Sequence, residues 1–97
     1  MYASIRRGKA NPGATAEIAQ RVKDSFVPII SQVPGFVAYY VVNLGDDMLA
    51  TVSIFENQAG AEESARRAAD WVKQDLAPLM ASPLEIMVGE VVVHKAA

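Results

Sequence analysis

Few side chains in this 97-residue sequence could carry chemistry. His94 is the only histidine, and imidazole has a pKa near neutrality, as a general base requires; an exposed residue near the end of the chain is the alternative. Arg6 could hold an anionic substrate or enolate, or could pair with a carboxylate such as Glu90. Trp71 could form the wall of a cavity, or could close a helix against the sheet. Arg6, Trp71 and His94 are therefore the candidate catalytic residues.

Hydroxyl groups on three predicted strands form the candidate substrate-binding set. Ser4 shares a strand parity with the candidate arginine, which predicts a polar stripe on a central strand. Thr51 and Ser53 share a parity on the third strand and could face the same space. Tyr39 and Tyr40 are adjacent on the second strand and point to opposite faces, so one of them should reach the interior. The substrate-binding candidates are thus Ser4, Tyr39, Tyr40, Thr51 and Ser53.

Several kinds of site have no support in the sequence. Cysteine is absent, so the chain has no disulfide framework, thiol nucleophile or thiolate metal site. With one histidine, a metal site would have to consist of carboxylates, and Asp46-Asp47 is more simply a hairpin turn. No glycine-rich phosphate loop, nucleophile elbow or dinucleotide fingerprint occurs. The sequence therefore predicts neither a metal nor an organic cofactor.

The composition predicts one small folded domain over residues 1–97. Hydrophobic residues make up 52% of the chain and the formal net charge is −2, which argues against disorder and against a nucleic-acid partner. No apolar stretch approaches the roughly 18 residues of a membrane span, and the N-terminal residues lack the apolar run of a signal peptide. We therefore expect a cytoplasmic protein with no membrane partner.

A repeat relates the two halves of the chain. The segment VKDSFVPII over 22–30 returns fifty positions later as VKQDLAPLM over 72–80. Apolar periodicity and turn residues predict two strand-helix-strand units around it. The predicted elements are a strand over 2–7, a helix from Pro12 to the Pro34-Gly35 break, strands over 36–42 and 48–55, a helix capped by Asn57, and a strand over 86–94.

The order of these elements predicts an α+β, ferredoxin-like βαββαβ fold. Its four-stranded antiparallel sheet would carry both helices on one face, with the first and third strands in the centre. The second and fourth strands are apolar on both parities, which is unusual for a sheet with one wet face. We therefore expect a homodimer that packs sheet against sheet, with a cavity for a small hydrophobic or aromatic ligand enclosed between sheets and helices.

Two segments resemble a known family. VPGFVAYYVV over 33–42 and ATVSIFENQAGAEESARRAADWV over 50–72, with the Gly-Asp turn between them, are similar to the antibiotic biosynthesis monooxygenases. The likeness of pattern covers nearly the whole chain. It implies a single dimeric α+β barrel domain. It also implies oxidation of aromatic, polyketide-like or quinol-like substrates by dioxygen without metal or flavin.

The resemblance is incomplete at the catalytic helix. The best-understood members use a neighbouring Asn and Trp there, helped by Arg and Tyr, whereas here Arg67 lies one turn before Trp71 and the only Asn of the helix is Asn57. A haem-degrading branch adds a histidine on or just after that helix, and His94 lies elsewhere. The sequence thus favours a cofactor-independent monooxygenase-like protein. The alternative is a non-catalytic dimer of the same fold that binds a small ligand or merely assembles.

Overall fold

A four-stranded antiparallel sheet carries two helical segments in the computed structural model, which describes residues 1–97. Strands β1 and β3 occupy its centre, in the order β2-β3-β1-β4, so the predicted ferredoxin-like fold is confirmed. The elements are β1 (Tyr2–Lys9), α1 (Thr15–Arg21), a π-helical turn π1 (Val22–Phe26), α2 (Val27–Ile30), β2 (Phe36–Gly45), β3 (Met48–Phe55), α3 (Gln58–Trp71), a second π-helical turn π2 (Val72–Leu76), a 3-10 turn (Ala77–Leu79) and β4 (Glu85–Glu90). We call α1-π1-α2 the first helical segment, and α3-π2 with the 3-10 turn the second.

The repeated sequence corresponds to the two π-helical turns. In π1 the chain widens so that the N–H of Val27 donates to the carbonyl of Val22, five residues back, and in π2 Ala77 donates to Val72 in the same way. A proline follows each turn by two residues, Pro28 in one segment and Pro78 in the other. Proline has no N–H to donate, and in a regular α-helix its ring would collide with the carbonyl four residues earlier. The wider turn relieves that collision. The repeated sequence is therefore the segment in which each helix accommodates its proline.

The first helix begins later than its sequence predicts. Gly13 has a φ of +77°, a conformation outside the helix that glycine adopts without steric cost, so α1 begins at Thr15 rather than at Pro12. Asn11 does not cap this helix; its side-chain amide donates to the carbonyl of Pro78 at 2.8 Å. Asn57 is the N-cap of α3 as predicted, because its side-chain oxygen accepts from the N–H of Gly60 at 2.9 Å.

The fourth strand is shorter than the sequence predicts. β4 covers Glu85–Glu90, so the expectation that it continues to His94 is wrong. The register explains the difference: Glu90 pairs with Tyr2, the first residue of β1, and beyond it only the N–H of Val91 finds a partner, in the carbonyl of Met1. Residues 92–97 have no strand beside them.

None of the helices is long and apolar enough to cross a lipid bilayer.

The hydrophobic core lies between the sheet and the helical segments. Its largest fully buried side chains are Phe26 of π1, Phe55 of β3 and Ile30 of α2. The opposite face of the sheet remains half open: Ile5 is 38% exposed, Tyr40 57% and Met87 50%. The helices therefore cover one face of the sheet over its central strands, and the opposite apolar face is in contact with solvent.

Candidate functional site

The side chain of Arg6 is buried beneath the second helical segment. It projects from central strand β1 and is 2% exposed. Its Nη1 donates to Thr51 Oγ1 at 3.1 Å, and its Nη2 donates to Ser53 Oγ at 3.2 Å. Nη2 also lies 3.3 Å from both the carbonyl and the hydroxyl oxygen of Ser64 in α3. Neighbouring β3 and the overlying helix thus supply the acceptors for a buried cation.

None of these acceptors carries a charge. Arg6 forms no ion pair, and its Nε–H has no hydrogen-bond partner. The alternative pairing with Glu90 is wrong, because Glu90 lies opposite Tyr2 in the register and is exposed. The ring of Phe26 gives partial compensation, since the guanidinium carbon lies 5.8 Å from its centroid. Burial lowers the pKa of Arg6, although a guanidinium stays protonated in proteins.

Tyr39 is the tyrosine that reaches the interior. Its ring packs edge-on against Phe26 with centroids 5.7 Å apart, and it lines the same cavity as Thr51, which accepts from Arg6. Burial raises the pKa of Tyr39, and the nearby positive charge of Arg6 opposes that shift only in part. The phenol is therefore neutral at pH 7. Tyr40 lies on the other face of the sheet, away from this site.

Trp71, the last residue of α3, is buried. It is 7% exposed and its ring lies 5.2 Å from that of Phe26. The buried stripe of α3 contains Ala61, Ser64 and Ala68 before Trp71, and Ala69 is exposed.

Ser64 is the site residue that sequence reasoning missed. Its hydroxyl is completely buried, donates to the carbonyl of Ala61 at 3.0 Å and accepts from Arg6. A hydroxyl that bonds back to its own helix can be buried at low cost. The available signal was its spacing, three residues after Ala61 and four before Ala68, together with an arginine of the facing strand that needs acceptors.

A cavity opens beside this cluster. Most of its lining is apolar, and it is bounded by both helical segments, β1, β2 and β3. Its empty volume is about 470 Å³ including space open to solvent, of which about 40 Å³ admits the centre of a water-sized molecule. The lining residues are Arg6, Ile18, Val22, Phe26, Tyr39, Val41, Leu49, Thr51, Ala68, Trp71, Val72, Leu76, Met80 and Leu84.

The structure brings some of the candidate residues together and separates others. Arg6, Tyr39, Thr51 and Trp71 all line the cavity, and Ser53 holds Arg6 from behind. Three others lie elsewhere: Ser4 is buried opposite Ser53 with an unpartnered hydroxyl, Tyr40 is on the far face of the sheet, and His94 is exposed beyond β4.

Comparison with solved structures identifies the fold. A protein of unknown function from Nitrosomonas europaea, NE2512, superposes with a TM-score of 0.82 at 24% identity, over 99% of this chain and 93% of that one. The monooxygenase ActVA-Orf6 of Streptomyces coelicolor, in complex with nanaomycin D, superposes with a TM-score of 0.78 at 12% identity, over 99% and 91% of the two chains. This chain has the fold of the antibiotic biosynthesis monooxygenases. A mutant of MhuD with two manganese protoporphyrin IX molecules per active site shares the same fold, with a TM-score of 0.76 at 19% identity over both whole chains. Searches of protein-family models and of curated proteins found no match.

In MhuD the same fold accommodates a haem-type ligand, manganese protoporphyrin IX. A haem iron takes an axial side-chain ligand, which is histidine, cysteine, methionine or tyrosine. No histidine or cysteine lines the cavity, and His94 is exposed on the segment that follows β4. No cluster of carboxylates or imidazoles that could hold a metal ion occurs either. Only about 40 Å³ of the cavity admits the centres of water-sized molecules, far less than a porphyrin needs, so the cavity does not fit a haem.

Proposed function

We propose that the protein is a cofactor-independent monooxygenase that oxidises a small, largely apolar aromatic molecule of the quinol or anthrone type. The observation that carries the proposal is a cavity with apolar walls in which one buried cation, Arg6, lies beside one neutral phenol, Tyr39. Apolar walls favour an apolar ligand, and the guanidinium stabilises negative charge on an oxygen atom that enters the cavity. The fold shared with ActVA-Orf6 supports the proposal.

The proposed reaction needs only substrate and dioxygen. An anthrone loses two hydrogens and gains one oxygen atom to give the anthraquinone, while the second oxygen atom leaves as water. The substrate supplies the electrons once it is deprotonated, so the role of Arg6 is to favour the anion. Tyr39 can donate a proton to the reduced oxygen, and Trp71 lines the same cavity.

The second part of the proposal is a homodimer formed by the open faces of two sheets. The half-exposed apolar side chains of that face, among them Ile5, Tyr40 and Met87, are the surface that a second copy would bury. Val92 and Val93, over 80% exposed on the segment after β4, add to it. Light scattering at micromolar concentration should give a dimer mass; a monomer would contradict this part of the proposal.

Oxygen uptake with a panel of anthrones and quinols tests the activity. We expect uptake by the wild type and its loss in Arg6→Met, which keeps the length of the side chain and removes its charge. Arg7→Met is the matched control, because Arg7 is next on the same strand but lies exposed in an ion pair with Glu85. No uptake with any member of the panel, or equal uptake by Arg6→Met, would overturn the proposal.

A non-catalytic ligand-binding dimer is the second candidate. One observation favours it: Arg67, one turn before Trp71, bonds to Glu63 on the exposed face of α3 and cannot act beside the indole. The amide and indole partnership implied by the family resemblance is therefore absent from the cavity wall. Tight binding of aromatic ligands without oxygen uptake would establish this second function.

A further inference from the structure

We propose that the cavity binds its ligand through an anionic oxygen group on the guanidinium of Arg6, with the apolar body of the ligand extending past Met80 and Leu84 into an adjoining outer pocket. The inference rests on the proposed use of the cavity and adds the class of ligand: an apolar molecule with one anionic head. A carboxylate and an ionised phenol share this chemistry.

The first support is the charge balance around Arg6. Every protein acceptor within hydrogen-bond distance is a neutral hydroxyl or carbonyl, and no ion pair reaches the side chain. Tyr39 does not supply a negative charge, because its phenol is neutral at pH 7. A buried charge without an opposite charge is costly, so an anion from outside the chain would find a strongly favourable partner.

The second support is a free donor at the cavity. Arg6 lines the cavity, and its Nε–H makes no hydrogen bond although the side chain is 2% exposed. Buried N–H groups without partners are rare in folded proteins. Nε itself is closed to water-sized molecules, so an anionic oxygen reaches it when neighbouring side chains shift, and there it would complete the hydrogen bonding and neutralise the charge in one contact.

The shape of the inner space decides which part of the ligand can lie there. About 40 Å³ admits the centres of water-sized molecules, room for two or three such groups and hence for a carboxylate but not for a fused ring. A wider outer pocket, with about 520 Å³ of empty volume including open space, adjoins it. Val72, Met80 and Leu84 line both, so their side chains form the wall between the two spaces.

This wall can yield without unfolding. The loop that carries it is fixed to β1 by backbone bonds, since the N–H groups of Ala81 and Ser82 both donate to the carbonyl of Lys9. Met80 and Leu84 pack onto Gly8, where a Cβ would lie 2.6 Å from Leu84 Cδ2 and 3.0 Å from Met80 Cε. Methionine is unbranched and adapts to irregular spaces, so rotation of the two side chains can join the chambers while the backbone stays in place.

A matched naphthalene series tests the head group. 2-Naphthoate, 2-naphthol and the neutral 2-naphthalenemethanol have the same ring and differ in the head, and their binding is measured by fluorescence titration without oxygen. We expect 2-naphthoate to bind at least about tenfold more tightly than the neutral alcohol. If the ionised phenol is preferred instead, 2-naphthol will bind as its anion at neutral pH, which its emission spectrum reports. Equal binding of all three would overturn the inference.

Variants locate the contact. Arg6→Met should abolish the preference for the anion, Arg6→Lys should retain part of it, and Arg7→Met should leave it unchanged. Arg6→Met removes a buried group that three side chains bind, so a loss of binding in this variant would also follow from unfolding. A second measurement is therefore made on the wild type. In ¹⁵N NMR spectra, 2-naphthoate should shift the Nε–H resonance of Arg6 and leave that of Arg7 in place; no shift at Arg6 would overturn the inference.

The failure of this inference and that of the proposed oxidation can be told apart. 2-Naphthoate has no oxidisable hydroxyl group, so anion-selective binding without oxygen uptake by anthrones would leave the inference intact and reject the monooxygenase. Oxygen uptake without any preference for the anion would support the monooxygenase and reject the inference.

Discussion

The two helical segments share one framework and place different side chains over the sheet. Both contain a π-helical turn followed by a proline, at positions fifty residues apart. The first presents large apolar side chains to the core, Ile18, Val22, Phe26 and Ile30. The second presents small ones, Ala61, Ser64 and Ala68, until Trp71 and Leu76 close its end.

This difference determines where the site lies. Small side chains over Arg6 leave space for the guanidinium and supply a hydroxyl to it, whereas the large ones of the first segment fill their side of the core. The repeat therefore gives both helical segments the same framework, whose valines Val22 and Val72 also line the cavity, and the residues that differ leave the space for Arg6. Four predictions test this division, from the largest expected effect to the smallest.

The first compares equivalent positions of the two π-helical turns. Phe26→Ala should lower the free energy of unfolding by about 3–5 kcal/mol, and Leu76→Ala by about 2–5 kcal/mol. Phe26 should cost more because its ring contacts Tyr39, Trp71 and the guanidinium of Arg6. Urea denaturation followed by circular dichroism measures both. A larger loss for Leu76→Ala would show that the second turn, not the first, carries the core.

The second fills the space that the small side chains leave. Ala68→Leu should destabilise the fold by about 1–3 kcal/mol and abolish ligand binding, because Ala68 is buried in the cavity wall. Ala69→Leu adds the same atoms one position further on the exposed face, and should change stability by about 0.5 kcal/mol or less. Ligand binding by Ala68→Leu would mean that the cavity is not the binding site.

The third tests whether the framework is shared. Pro28→Ala and Pro78→Ala should each lower the free energy of unfolding by about 0.4–1 kcal/mol, because the unfolded chain gains freedom while the native turn remains. Denaturation midpoints of the two variants should shift alike. A gain in stability for one variant only would indicate that its proline is strained and that the two turns are not equivalent.

The fourth concerns surface charge, where the expected effect is smallest. Hydrogen bonds from Arg66 and Arg67 lower the pKa of Glu63 from its ordinary value of 4.5. A lowered native pKa stabilises the fold above pH 4.5, and this contribution is lost as the pH falls through the native value. Glu63→Gln should therefore be slightly less stable than the wild type at neutral pH, and the difference should vanish in acid.

Denaturation of this variant at several pH values, repeated in high salt to screen the charges, provides the measurement. Glu17→Gln in the first segment is the matched control, since Glu17 lies 3.6 Å from a single arginine, Arg21, and should give a smaller difference. A difference that persists unchanged at acidic pH would show that the loss is not electrostatic.

Local patterns in the sequence predicted much of this fold. The alternation of Met48 to Phe55 gave the bounds of β3, and the side chain of Asn57 marked the start of α3. Errors arose where a distant partner decides the outcome. β4 ends where β1 has no further residue to pair with it, and α1 begins late because Gly13, whose N–H donates to Asp47 Oδ1, takes a positive φ.

The candidate site was predictable in part. Strand parity brought Arg6, Thr51 and Ser53 to one face, because neighbouring strands in register share their faces. Parity could not say which of Tyr39 and Tyr40 turns inward, since the two faces of β2 are similarly apolar. Ser64 escaped prediction because only the guanidinium beneath it makes its burial favourable.

By itself the sequence determined the order of the elements, the two similar halves and the types of side chain available, because periodicity, turns and prolines act over a few residues. Only the tertiary structure decided that Arg6 is buried without a counter-ion, since its acceptors are 45 to 58 residues away along the chain. It also decided which side of the sheet holds the cavity. Burial and charge compensation depend on contacts between distant segments, and no local pattern specifies those contacts.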